Sequence, residues 1–119
     1  MRQRLLDTPA ERVPPGLAAA VSAFCDPLEV IAAAYIGLTE LTQDFHNPRE
    51  VLSVAFELVV PTAETEEGDR EIRLVADRFY DTMPAEVQDG GCNFLEPGGI
   101  GAWQEKAQQV FSRQPPGVP

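Results

Sequence analysis

Val51-Leu52-Ser53-Val54-Ala55-Phe56-Glu57-Leu58-Val59-Val60 alternates along its whole length. Leu52, Val54, Phe56, Leu58 and Val60 fall on one side of an extended chain and are all apolar. Val51, Ser53, Ala55, Glu57 and Val59 fall on the other and are mixed. A period of two is that of a β-strand. One wholly apolar face beside a mixed one predicts a sheet packed on helices on one side and only partly covered on the other. Pro61, with no amide hydrogen for a ladder, stops the strand.

Upstream, residues 30–38 form a short apolar run between Pro27 and a polar segment. Valine, isoleucine and tyrosine outweigh the three alanines, so the run reads as a second, buried strand. Residues 39–50, with Asn47-Pro48 inside, read as a long loop. Before the first strand, Leu17, Ala20, Val21, Phe24 and Cys25 repeat at helical spacing, and Asp26-Pro27 ends that helix. Residues 1–14 read as an N-terminal arm, with Thr8-Pro9-Ala10-Glu11 in the form of a helix start: a capping hydroxyl, a proline at the first position and a glutamate to close the box.

Downstream, residues 62–68 carry three glutamates and read as an exposed loop. Asp69 is a suitable cap for a helix whose apolar stripe is Ile72, Val75, Ala76, Phe79, Tyr80 and Met83, ending at Pro84. A short strand around residues 92–95 follows, then a last helix from Gly101 with Trp103, Ala107, Val110 and Phe111 on its apolar side. Residues 114–119 read as a frayed tail. The expected order is α-β-β-α-β-α: one α+β (α/β) two-layer domain over residues 15–113, a small mixed sheet with helices mainly on one face.

Composition narrows the function. The chain has 119 residues, room for one core, and a formal net charge of −10 with nine Lys and Arg against nineteen Asp and Glu. Phosphate backbones and anionic lipid surfaces need basic patches, so neither nucleic acid nor a membrane is an expected partner. No signal-peptide pattern follows Met1, and no apolar run approaches the ~20 residues that span a bilayer. Cys25 and Cys92 then read as reduced thiols in a cytoplasmic protein.

Catalytic motifs are weak throughout. One histidine, His46, and two distant cysteines do not make a metal site, and no cofactor is expected. Ser22, Ser53 and Ser112 lie outside any Gly-x-Ser-x-Gly elbow. Glu66-Glu67 read as solvated charges rather than a dyad, which requires desolvation. Pro97-Gly98-Gly99-Ile100-Gly101 precedes a helix, so Gly98, Gly99 and Gly101 could cradle an anion, but Gln104 stands where the dinucleotide fingerprint needs glycine. The alternative is a flexible turn.

The mixed sheet face is the more informative anomaly. Ile31, Ala33 and Tyr35 from one strand and Ala55, Glu57 and Val59 from the other would form a partly apolar patch. Left open, it marks a protein partner or a homodimer contact; otherwise a helix or the long loop covers it. A non-catalytic interaction module is thus the leading expectation. The alternatives are a secretion-chaperone-like binder of a client protein and a small enzyme or ligand binder at the glycine turn.

Pro15-Gly16-Leu17 at a helix start, Val30 leading into Ala33-Ala34-Tyr35-Ile36, and Leu52-Ser53-Val54-Ala55-Phe56-Glu57-Leu58 followed by an amphipathic helix and a short strand together resemble the C-terminal domain of the SseB (enhanced serine sensitivity) family, across residues 15–113. That family's aromatic pair after its last helix is not evident here, and its other domain is not among these residues. The resemblance implies a bacterial, cytoplasmic α/β domain without an established reaction, and it carries over no functional residues.

Overall fold

In the computed structural model, which describes residues 2–42, 47–60, 65–88, 90–97 and 101–113, the alternating stretch lies in strand β3 (Arg49–Leu58) and the run before it in β2 (Ile31–Thr42). The two pair antiparallel from Ile31↔Leu58 to Leu41↔Arg49. Residues 39–42 and 49–50 of the expected loop 39–50 are therefore strand. They read as a loop because the pairing sets Glu40 opposite Glu50, and like charges directly across a sheet repel. Two arginines from the N-terminal segment offset that repulsion: Arg4 Nη2 lies 3.3 Å from Glu40 and Arg12 Nη2 lies 3.3 Å from Glu50.

The other edge of β2 is shared. The expected N-terminal arm is strand β1 (Arg2–Leu6), antiparallel to residues 38–42 of β2. The expected last helix is only a five-residue α4 (Ala102–Lys106), after which the chain becomes β5 (Gln108–Ser112), antiparallel to residues 33–36 of β2. Val110 and Phe111 fit helical spacing with Trp103 and Ala107, but the open backbone edge of β2 satisfies their amides as strand instead. β4 (Cys92–Leu95) adds the parallel pair, alongside β3. The result is a five-stranded mixed sheet in a small α+β domain.

Where β1 gives way to β5, Thr8 closes the seam. Its Oγ1 accepts from the amide of Leu38 at 2.8 Å and donates to Leu6 O at 3.1 Å. Its own amide donates to Lys106 O at 2.8 Å, and its carbonyl accepts from Gln108 Nε2 at 2.7 Å. Thr8 therefore does not cap a helix. The 3-10 turn Ala10–Arg12 behind it starts at Pro9 with no side-chain cap.

α1 (Pro15–Cys25) and α2 (Glu66–Thr82) pack on the wholly apolar face. The cap of α2 lies four residues before the expected Asp69, because Thr65 Oγ1 accepts from the amide of Gly68 at 2.9 Å. Glu66, Glu67 and Asp69 then favour the positive end of the helix dipole. Leu17, Val21 and Cys25 of α1 and Val75 and Phe79 of α2 meet Ile36, Val54, Phe56 and Leu58 in one core. Phe56, fully buried, lies 5.5 Å from the ring centre of Phe24, 6.1 Å from Phe79 and 6.1 Å from Phe94. A short α3 (Ala85–Gln88), not foreseen, adds Val87 to that core, and Gly91 at φ 73° turns the chain into β4.

Replacing Thr8 by valine keeps the shape and removes the acceptor of a buried amide. The expected loss is about 1–3 kcal/mol, read in urea as a lower midpoint at unchanged slope. Serine at the same position should retain most of the stability. A valine variant as stable as the parent would show that the seam hydrogen bond is dispensable.

Candidate functional site

The structure brings together four of the six residues expected to form an open patch. Tyr35 pairs with Ala55 and Ala33 with Glu57, side by side on the second face of the sheet. That face is not open. Ala33 is 5%, Tyr35 6% and Ala55 0% exposed, and only Glu57 is half-buried. The cover is α4, on the side opposite α1 and α2. A Cβ on Gly37 would lie 2.7 Å from Trp103 Cζ3 and 2.6 Å from Leu5 Cδ1, so the indole and the leucine press directly on the strand backbone. Gln104 hydrogen-bonds the Tyr35 hydroxyl, whose pKa is raised by burial and by the nearby Glu57 carboxylate.

The other two residues lie elsewhere. A register shift between Ile31 and Ala33 breaks the alternation, and Ile31 joins the helical core, fully buried. Val59 lies beyond the end of β3, 51% exposed, its amide donating to Val30 O at 2.8 Å.

Of the three glycines that could cradle an anion, Gly101 is among the described residues. Gly98 and Gly99 lie outside them, as do His46 and the tail 114–119. Gly101 is the cap residue of α4, and its amide already donates to Gln104 Oε1 at 2.8 Å. No three His, Cys, Asp or Glu side chains among the described residues are grouped as metal ligands would be.

Among the described residues, the most apolar hollow is a groove in the helical layer. α1 presents Ala20 and Ala23 toward α2, and these small side chains leave a depression of about 360 Å³. Phe24, Leu28 and Met83 line it from below, and Arg78 and Thr82 from α2 form its far wall. The groove continues past Pro27, Leu28 and Arg78 into a second hollow of about 390 Å³, where Val30 and Leu74 are the apolar lining and Glu29 and Glu71 the acidic rim. Leu74 is 43% exposed. The apolar stripe 72, 75, 76, 79, 80 and 83 leaves this leucine on the other side of α2, and that break in the pattern is the sequence signal of the groove.

The floor of the groove is fixed by the chain just after α1. Arg113, following β5, donates from Nη2 to the carbonyls of Cys25 and Asp26, each at 2.9 Å, and from Nε to Ile31 O at 3.2 Å. Its guanidinium lies 5.2 Å from the centre of the Phe111 ring. A delocalised cation with several donors suits the carbonyls left over at a helix C-terminus, and here it sets the path of residues 26–31.

Both thiols are free, Cys25 buried and Cys92 partly so. Burial pushes the Cys25 thiol up to about 12, against the opposing pull of the Arg113 charge. Burial also raises Cys92, which is hydrogen-bonded to Tyr80. A thiol held neutral is a poor nucleophile. Because the folded value exceeds the ordinary one, the stability contributed by keeping Cys25 neutral is present below about pH 9 and is lost as pH rises toward 12. In native protein at pH 8, a thiol reagent should modify Cys92 slowly and Cys25 only after denaturation. A Cys92→Ser variant that reacts stoichiometrically in native buffer would contradict this placement of Cys25.

Comparison with protein-family models, curated proteins and solved structures returned no match to this chain.

Proposed function

We propose that this chain is a non-catalytic protein-interaction module that receives its partner in the groove between α1 and α2. One observation carries the reading. On the second sheet face Ala33, Tyr35 and Ala55 are buried, whereas the helical face carries an apolar depression lined by Ala23, Phe24, Pro27, Leu28 and Met83, with exposed Leu74 beyond it. Exposed apolar surface rimmed by charge is the usual mark of a protein contact. The rings and aliphatic chains there offer burial, and Arg78, Glu29 and Glu71 offer orientation.

No helix among the described residues is long and apolar enough to cross a membrane. We place the module in the bacterial cytoplasm, a reading supported by its two free thiols. The resemblance to the C-terminal SseB domain is part of the same proposal. The helix from Pro15, the strand through residues 52–58 and the amphipathic helix after it, on which that resemblance rests, are all elements of this fold.

A photo-cross-linking side chain at exposed position 23, in the wall of the groove, tests the reading in living cells. A discrete adduct with a polypeptide is expected there and not from the same group at exposed position 11. Absence of any adduct from position 23 at normal expression would reject the groove as a partner site.

A further inference from the structure

We infer that the second hollow of this groove is occupied by a second copy of the same chain, with the two α2 helices crossing antiparallel about Leu74. The inference rests on the reading of the groove as a protein-binding site and names its occupant.

Glu71, Leu74 and Arg78 lie at i, i+3 and i+7, so they share one stripe of α2, and all three line the same hollow. Leu74 has 43% of its surface in water although the core stripe of the helix lies elsewhere. Opposite charges stand three residues before it and four residues after it. That arrangement is complementary to itself. A twofold axis through Leu74, perpendicular to the helix, places Arg78 of one copy beside Glu71 of the other and repeats the pair on the opposite side. Exposed Arg70 and Asp77, at i−4 and i+3 on the other side of Leu74, form a second such pair across the same axis. Among the described residues, Arg4 pairs with Glu40 and Arg12 with Glu50, and neither pair uses Glu71 or Arg78.

The apolar part of the contact fits the same axis. The hollow beside Leu74, about 390 Å³ and lined by Pro27, Leu28 and Val30, has room for the leucine of the other copy, and the exchange is reciprocal. Glu67 and Asp81, seven residues out on either side, would meet as like charges if the helices ran alongside each other. A crossing inclined by roughly 50° confines contact to the central two turns and separates them. A contact of that extent falls below about 1,200 Å², the range of weak, reversible association.

Sedimentation equilibrium of the full chain from about 1 µM to about 1 mM reads the dimer directly. The parent protein should dimerise in a concentration-dependent way. Arg78→Glu and Glu71→Arg should each weaken the dimer at least about tenfold, and the double variant Arg78→Glu/Glu71→Arg should recover to within a few-fold of the parent, because the pair is restored with its signs exchanged. Both positions face solvent or its margin, and circular dichroism confirms that the variants fold. A monomer across the whole range, a dimer indifferent to either single change, or a double variant no better than the singles would each overturn the inference. A monomeric chain that still cross-links from position 23 to a different polypeptide removes the second copy as occupant and leaves the interaction module standing. No adduct and no dimer removes both.

Discussion

β2 has one edge and two claimants for it. The strand is twelve residues long, and its far edge is covered by β1 over one half and by β5 over the other, strands drawn from near opposite ends of the sequence. A buried strand edge left unpaired costs the desolvation of each amide and carbonyl on it. Two short strands placed end to end solve that problem except at the join, where the amide of Leu38 takes a side-chain acceptor. The hydroxyl of Thr8 supplies the missing acceptor, and the backbone of Thr8 ties Lys106 and Gln108 to the same point. Sheet completion, the position of α4 and the closure of the second face all meet at this residue.

A second consequence concerns charge. A protein with nineteen acidic side chains and nine basic ones uses several of its cations as internal fixings. Arg4 and Arg12 hold the two facing glutamates of the β2–β3 hairpin, and Arg113 organises the carbonyls at the end of α1. Exposed ion pairs of this kind contribute little each. Their role is to make a register tolerable that places Glu40 against Glu50. Arg113 differs, because its partners are carbonyls at a helix terminus that would otherwise compete for water.

Elements whose side chains alternate against the core were legible from the residues alone: β3, the stripe of α1, the stripe of α2 and the short β4. Elements defined by backbone demand were not. β1 and β5 carry mixed side chains, and what makes them strands is the open edge of β2, a partner remote in sequence. The bulge that turns Ile31 into the core is invisible to a count of alternation, since each residue on either side of it keeps a plausible environment. Thr8 illustrates the same limit. Its neighbours Pro9, Ala10 and Glu11 satisfy a local capping pattern, yet a long-range bond to Leu38 outcompetes it. Whether the second face stays open or covered was undecided for a related reason: it depends on where residues 101–112 return, and their periodicity fits helix and strand alike. The groove was half-legible, because Leu74 breaks the stripe of its own helix.

Closure of the second face also decides where a partner can act. In a two-layer domain with one face of its sheet bare, the sheet is the natural contact and the helices are scaffolding. Here Trp103 and Leu5 press against Gly37, and any side chain larger than hydrogen at that position would lift them off. The sheet is thereby spent on internal packing from both sides. Under the proposed reading the surface left for a partner is that of the helices, and its shape follows from the small residues of α1. Alanine at 20 and 23 keeps the helix regular at little cost in side-chain entropy while leaving the space that larger residues would fill. The same choice that weakens packing between α1 and α2 creates the concavity, so the groove and the thinness of the helical layer have one cause.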